Sequence, residues 1–330
     1  MQQSNPVLIT PGDPAGIGPE IALRTFAAGV RDIVLMGDIE HLAEVSSICD
    51  LAIKFAPYDK NVPHDICPVL EISWPADICP GSPDNRNAPA VIGAISRATS
   101  LTKQGEFCAV TTNPIAKSVL YESGFTFPGH TEFLAFLDGH ERRPVMMMAN
   151  DMLKAVPLTI HIPLSDVEST ISAEAITRTI SIMEEGLSKY FGVENPHIAI
   201  TGLNPHAGES GHIGTFEQKR LAPLINELKS QGHSLSGPHS TDSLFHEEAR
   251  HRYDAVLTMY HDQALIPLKT LDFHRSVNVT LGLSFIRTSP DHGTAFDIAP
   301  HFAARPDSLI AAIKMAQQMA SRRNALRNYS

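Results

Sequence analysis

Cysteine is sparse in this chain, and its four copies, Cys49, Cys67, Cys79 and Cys108, form no CxxC pair. That predicts free, mostly structural thiols in a reducing cytoplasm. Long apolar runs are missing as well. None can span a bilayer and no signal peptide precedes the first strand, so neither a membrane nor a secreted protein is expected. Positive charge is in deficit: a formal net charge of −10 excludes the broad basic face that nucleic-acid binding needs. A small anionic substrate stays possible, because a few local cations suffice for it. Internal repeats, low-complexity tracts and flexible linkers are lacking too.

What is present is an ordinary globular composition on a chain of 330 residues, enough for two domains or one large α/β unit. Strand-like runs alternate with helical ones. Strands are expected at Val7–Thr10, Asp32–Gly37, Cys108–Thr112, Val145–Ala149, Ala155–Ile160 and Val277–Ile286, the last interrupted by Gly282. The proline-rich stretch 57–90 reads as irregular, with a short edge strand at Val69–Ile72. Helices are expected from Pro19-Glu20, at about Ala90–Lys103, within Ser165–Phe191 with Ser165-Asp166 and Ser172 as caps, at Thr215–Gln231, and at Asp307–Arg327. Alternating β and α units imply a largely parallel sheet.

Parallel α/β sheets build their sites at the carboxyl ends of strands. Three histidines, His161, His206 and His261, each follow a short apolar run rich in β-formers. Each alone could be an ordinary loop residue. Together they could hold one metal and leave a coordination position open for substrate. Thr10-Pro11-Gly12-Asp13-Pro14-Ala15-Gly16-Ile17-Gly18 follows a strand and precedes a helix, yet lacks the GxGxxG spacing. Its glycines permit tight turns and close backbone approach, and a purely structural turn fits it equally. Phe127-Pro128-Gly129-His130-Thr131-Glu132 can present an imidazole and a hydroxyl to an anion, or Thr131 can simply cap the following helix. The Gly-rich loop from Asn204 to Gly214 offers His212 as a rival to His206, which lies nearer the strand end. Lys269, Arg275, Asn278 and Arg287 suit a phosphate or carboxylate clamp, or ordinary surface salt bridges. His246 and His251 mimic HExxH but stand five apart, a spacing that splays the rings on a helix.

Read together, TPGDPAGIGPE, FPGHTEF, HIPL, GLNPHAGESGHIGT, MYHDQALIPLK and VNVTLGLSFIRTSPDHGTA resemble the 4-hydroxythreonine-4-phosphate dehydrogenase family of pyridoxal phosphate biosynthesis. They run from residue 10 to residue 295, nearly the whole chain. The segment from His292 to Ala299 is also similar to the adenosine-binding loop of isopropylmalate and isocitrate dehydrogenases, with Phe296 where those relatives have proline. The resemblance implies two α/β/α domains of that dehydrogenase type, with the active site in the interdomain cleft. The first, on the cofactor side, would comprise residues 1–128 and 271–330. The second, residues 129–270, would carry the metal ligands and the dimer interface.

The resemblance further implies a divalent metal (Zn²⁺, Co²⁺ or Mg²⁺) on His161, His206 and His261, shared across a homodimer. It implies substrate contacts at His130, Thr131, Lys269, Asn278 and Arg287, with Asp242 and Asp262 as supporting acids. Lys269 or a metal-bound water is the candidate proton acceptor. NAD or NADP would lie against Gly12, His292, Gly293, Thr294 and Asp297. The implied reaction is oxidation of 4-phosphooxy-L-threonine at C3 to 2-amino-3-oxo-4-phosphooxybutanoate, which loses carbon dioxide to give 3-amino-2-oxopropyl phosphate. A dehydrogenase of 4-phospho-D-threonate or 4-phospho-D-erythronate is the near alternative. A metal-dependent hydrolase of a phosphorylated metabolite is the distant one.

Overall fold

Short aliphatic runs make the strands of this chain, and several are buried along their whole length, as in sheets covered on both faces. The computed structural model describes residues 5–139 and 143–329. In chain order the first strands are β1 (Val7–Thr10), β2 (Ile33–Gly37), β3 (Lys54–Pro57), β4 (Ile66–Glu71) and β5 (Ala109–Thr112). Then come β6 (Val145–Ala149), β7 (Lys154–Thr159), β8 (Ile198–Thr201) and β9 (Leu235–His239). The last are β10 (Ala255–Tyr260), β11 (Val277–Leu281) and β12 (Arg287–Pro290).

The chain divides into two compact units, Met1–Pro144 with Leu283–Ser321, and Val145–Gly282 with Arg322–Ser330. Beside the boundaries expected at 128/129 and 270/271, residues 129–144 fall with the first unit, and residues 271–282 and 322–330 with the second. In the first unit the strand order is β3-β4-β2-β1-β5-β12, parallel throughout. In the second it is β11-β6-β7-β10-β8-β9. There β6 runs antiparallel to both β11 and β7, and β7, β10, β8 and β9 are parallel. Parallel pairing puts Thr10, Thr112 and Pro290 on one edge of the first sheet, and Thr159, Thr201 and Tyr260 on one edge of the second.

The sequence expectation missed β3 and shortened β4, which is not an edge: it pairs with β2 on one side and β3 on the other. Pro68 inside β4 has no N–H for a ladder, and proline in a run reads as an edge or a break. The run 277–286 is also two strands rather than one. β11 ends at Leu281, and β12, which was not foreseen, begins at Arg287 and runs parallel to β5. The expected helix 215–231 opens with a π-type turn, Glu217–Leu221, before Ala222–Ser230. The hairpin between β6 and β7 holds as expected, with Asn150 Oδ1 accepting the Met152 and Leu153 amides at 2.9 Å each. Ser172 caps the helix Ala173–Phe191 by accepting the Ala175 amide.

Packing fixes the two helices that matter most for the site. In the first unit, helix His130–Asp138 buries Phe133 and Leu134 against Phe125, Ile95 and Phe285. Its last residue, buried Asp138, accepts the Ser284 amide at 2.8 Å and the Ser284 hydroxyl at 2.5 Å. In the second unit, helix His261–Leu271 buries Ala264, Leu265 and Leu268 against Met148, Ala155 and Val256. Burying such side chains contributes roughly 1.5–3 kcal/mol each, which anchors the helix beneath its first turn. All four cysteines are free, and burial pushes the Cys67 thiol up to about 12. Among the described residues no helix is long and apolar enough to cross a membrane.

Candidate active site

In the second unit the carboxyl ends of β7 and β10 are neighbours, and each delivers a histidine. His161 follows β7 after one residue, and His261 follows β10 directly, opening the helix His261–Leu271. Their ring centroids lie 5.9 Å apart. His261 Nδ1 is 2.7 Å from Asp262 Oδ1, a contact that orients the ring. His206 follows β8 in a turn, Pro205–Gly211, whose backbone is left-handed: φ is 51° at His206, 50° at Ala207, 44° at Glu209 and 55° at Ser210. L-residues resist that conformation by roughly 1–2 kcal/mol each, so something must hold it.

Buried Glu217 does. Its Oε1 accepts the Leu203 amide at 2.8 Å and the Asn204 amide at 2.7 Å, and its Oε2 accepts Asn204 Nδ2 at 3.1 Å. The turn wraps the carboxylate so closely that a Cβ on Gly208 would sit 2.7 Å from Glu217 Oε2. Asp242 is exposed, and its carboxyl is held below the usual range chiefly by the Ser240 hydroxyl, with His206 a lesser cause.

The structure therefore pairs His161 with His261 and sets His206 near Asp242. Among the described residues, no three His, Cys, Asp or Glu side chains form a group ready to hold a metal. Lys269 lies further along the helix of His261, with Nζ 5.5 Å from the Phe273 ring centroid. Asn278 is on β11 opposite Met148, and its buried Oδ1 has no hydrogen-bond partner among the described residues.

In the first unit Arg287 opens β12 and is buried, with Nε and Nη2 donating to Thr112 Oγ1 at 3.2 and 2.7 Å. Burial pushes the guanidinium down to about 10, against the pull of Glu132. His130 opens the helix His130–Asp138, with Gly129 at the cap position and Thr131 inside the first turn. The capping alternative for Thr131 is thereby removed. His130 Nε2 is buried with no hydrogen-bond partner among the described residues. Burial, then Arg287, then Lys117, drive the His130 pKa well below 6.5. The imidazole is thus neutral at pH 7, beside a cation, with one ring nitrogen unsatisfied.

The sign of that shift yields a stability prediction. An unfolded chain takes up the His130 proton as pH falls through about 6.5, while the folded chain refuses it. The His130 contribution is whole above that value and is lost progressively as pH falls toward the depressed folded pKa. His130→Gln should flatten the fall in unfolding free energy between about pH 6.5 and 5. Denaturant titrations at several pH values check this, and identical slopes for the two proteins would refute it.

The third group of sequence candidates is also assembled within the first unit. The loop after β1 and the loop after β12 touch: the Ile17 amide donates to Thr294 O at 3.0 Å. Gly12 has φ of 72°, and a Cβ there would lie 2.5 Å from Pro114 O, so no side chain fits. His292 Nδ1 is 3.0 Å from Gly293 O, and Asp297 is exposed. Backbone approached this closely by neighbouring loops can receive a flat or phosphorylated ligand without side chains in the way.

Sequence reasoning assigned no role to Glu217, Gln263, Thr112 or Lys117. Gln263 stood inside a quoted motif, but nothing local marks an amide as part of a site. Glu217 lies beyond its loop in sequence and under it in space.

A protein-family model described as pyridoxal phosphate biosynthetic protein PdxA matches residues 29–316. The 4-hydroxythreonine-4-phosphate dehydrogenase of Methylorubrum extorquens (strain PA1) is 47% identical over 334 residues, covering 96% of this chain and 95% of that protein. The enzyme of the same name from Paracoccus denitrificans (strain Pd 1222) is 47% identical over 328 residues, covering 98% and 100%. A crystal structure of 4-hydroxythreonine-4-phosphate dehydrogenase from Klebsiella pneumoniae superposes with a TM-score of 0.88 at 34% identity, covering 96% of this chain and all of that one (100%).

Proposed function

Because the chain belongs to the pyridoxal phosphate biosynthetic protein PdxA family, we propose that it is a 4-hydroxythreonine-4-phosphate dehydrogenase. The observation that carries this reading is agreement along nearly the whole chain with enzymes of that name. The site geometry supports it: paired histidines at strand ends in one unit, and a buried arginine with a neutral histidine in the other.

The substrate is 4-phosphooxy-L-threonine. The C3–H bond breaks with its electron pair, the C3 hydroxyl loses its proton, and the resulting β-keto acid releases carbon dioxide to leave 3-amino-2-oxopropyl phosphate. NAD or NADP supplies the hydride acceptor, and a divalent metal supplies Lewis acidity at the C3 oxygen. Imidazole nitrogens suit Zn²⁺ or Co²⁺, and Mg²⁺ works where substrate oxygens add to the set. His161 and His261 fit two positions of such a set by chemistry and proximity. His206 is the third ligand, and the set closes in a homodimer. Leu164, Ile266 and Phe273, exposed apolar residues of the second unit, give that dimer a face to bury.

Arg287, His130 and Thr131 take the phosphate: Arg287 by charge, His130 by a hydrogen bond from a ring nitrogen now unsatisfied. Asn278 and Asp242 orient the amino acid end. Lys269 Nζ is the candidate acceptor of the hydroxyl proton, and Asp262 holds the His261 ring. The contacting loops at Gly12 and at His292, Gly293, Thr294 and Asp297 form the bed for the nicotinamide cofactor. The free thiols suit a reducing cytoplasm.

Absorbance at the reduced-nicotinamide band tests the reading. With 4-phosphooxy-L-threonine and NAD or NADP, signal should appear, vanish with a chelator and return with Zn²⁺, Co²⁺ or Mg²⁺. Turnover of 4-phospho-D-threonate alone would move the assignment to that alternative. Phosphate release without any nicotinamide would replace it with a hydrolase.

A further inference from the structure

One buried amide ties together the segments that carry His206, Asp242 and His261. Gln263 stands in the first turn of helix His261–Leu271 and is 8% exposed. Its Oε1 accepts the Met259 amide at 2.9 Å, in β10, and the Thr201 hydroxyl at 3.2 Å, at the end of β8. Its Nε2 donates to Gly202 O at 2.9 Å and to Thr241 Oγ1 at 3.1 Å. A side-chain amide has two acceptor sites and two donors, and here all four are used on three separate chain segments. Each partner lies next to a site loop. Met259 precedes the elbow at His261, Gly202 opens the loop to His206, and Thr241 adjoins Asp242. The Gly202 amide, in turn, donates to His239 O at 2.8 Å, so the same knot reaches β9.

We propose that Gln263 is the positioning residue of the metal site: its amide sets the spacing of the His206 loop, the Asp242 turn and the His261 elbow. The inference rests on the assignment of the metal to His161, His206 and His261. Met259 N and Thr201 Oγ1 both need an acceptor, and Gly202 O needs a donor. A hydrophobic residue would leave buried polar groups unsatisfied, and the loops would move apart to reach water.

Co²⁺ titration of the full-length, metal-free protein tests the proposal through the ligand-field absorbance of the bound ion. Gln263→Met keeps the volume and removes all four bonds. It should weaken Co²⁺ binding by about 10- to 100-fold, the range for outer-shell partners of metal ligands. A merely structural role would lower the melting temperature but leave the affinity of the folded fraction unchanged. Thr241→Val removes only the link to the Asp242 turn, with little change in volume, and should weaken binding several-fold in the same direction. It also decides the matter if Gln263→Met does not fold. Wild-type affinity in Thr241→Val, or in a folded Gln263→Met, would overturn the proposal while leaving the metal assignment standing. Failure of the wild-type protein to bind Co²⁺ would overturn both.

Discussion

With His206 as the proposed third metal ligand, His206→Ala is expected to lose the metal and, with it, turnover, while the chain stays folded. The side chain is exposed, so its removal should change stability by only about 0.5 kcal/mol. Loss of one of the three imidazoles proposed for the metal would remove a ligand outright, and a metal's Lewis acidity is worth several kcal/mol of transition-state stabilisation. At 1.36 kcal/mol per tenfold, kcat should fall by about 10³-fold or more. The left-handed backbone at His206 provides an internal control. Asparagine tolerates that conformation better than alanine does. His206→Asn should therefore keep the loop and still lose the metal. Metal content by mass spectrometry, melting temperature and NADH formation read the three effects separately. A His206→Ala protein that retains both metal and turnover would remove His206 from the ligand set.

Replacing Arg287 is expected to cost affinity for the phosphorylated substrate and to release His130. Arg287 is buried, with two of its nitrogens on Thr112 Oγ1. Truncating one partner of a buried, hydrogen-bonded charge pair costs about 2–5 kcal/mol. In Arg287→Met that corresponds to a rise in KM of roughly 30- to 5,000-fold. Arg287→Lys keeps the charge but not the planar fork, and should fall between. The coupled effect is on His130. Burial is the largest cause of its depressed pKa and Arg287 the next, so removing the guanidinium charge should bring the His130 titration up toward 6.5. Proton NMR of the imidazole follows that shift directly. Unchanged KM together with an unmoved His130 would show that the two residues do not form one anion site.

Much of this architecture was readable before any coordinates. β1, β2, β5, β6, β7, β8 and β10 are aliphatic runs whose burial on a sheet follows from composition alone, and Ser172 and Asn150 mark their cap and turn by type. The glycine loop and the segment 292–297 were each legible as unusual, and their contact through Ile17 and Thr294 was not. β3 and β12 were missed because four-residue strands carry little period, and β12 opens with a charged residue that reads as surface.

The sequence by itself determined the strand-then-histidine grammar and the residue types available for catalysis, because those depend on neighbours within a few positions. It also determined the family, through motifs that survive intact along the chain. Only the tertiary structure decided which groups meet. The His161 and His261 ring centroids are 5.9 Å apart because β7 and β10 pair in parallel, with Ala155 opposite Val256, although the two histidines stand 100 positions apart in sequence. Arg287 is buried on Thr112 because β12 pairs with β5, and Gln263 binds three loops because three strands end beside it. Side-chain pKa values follow suit: His130 is neutral through burial and the charges of Arg287 and Lys117, which are distant in sequence. Contacts of this kind are fixed by strand order and packing, and local sequence carries no term for either.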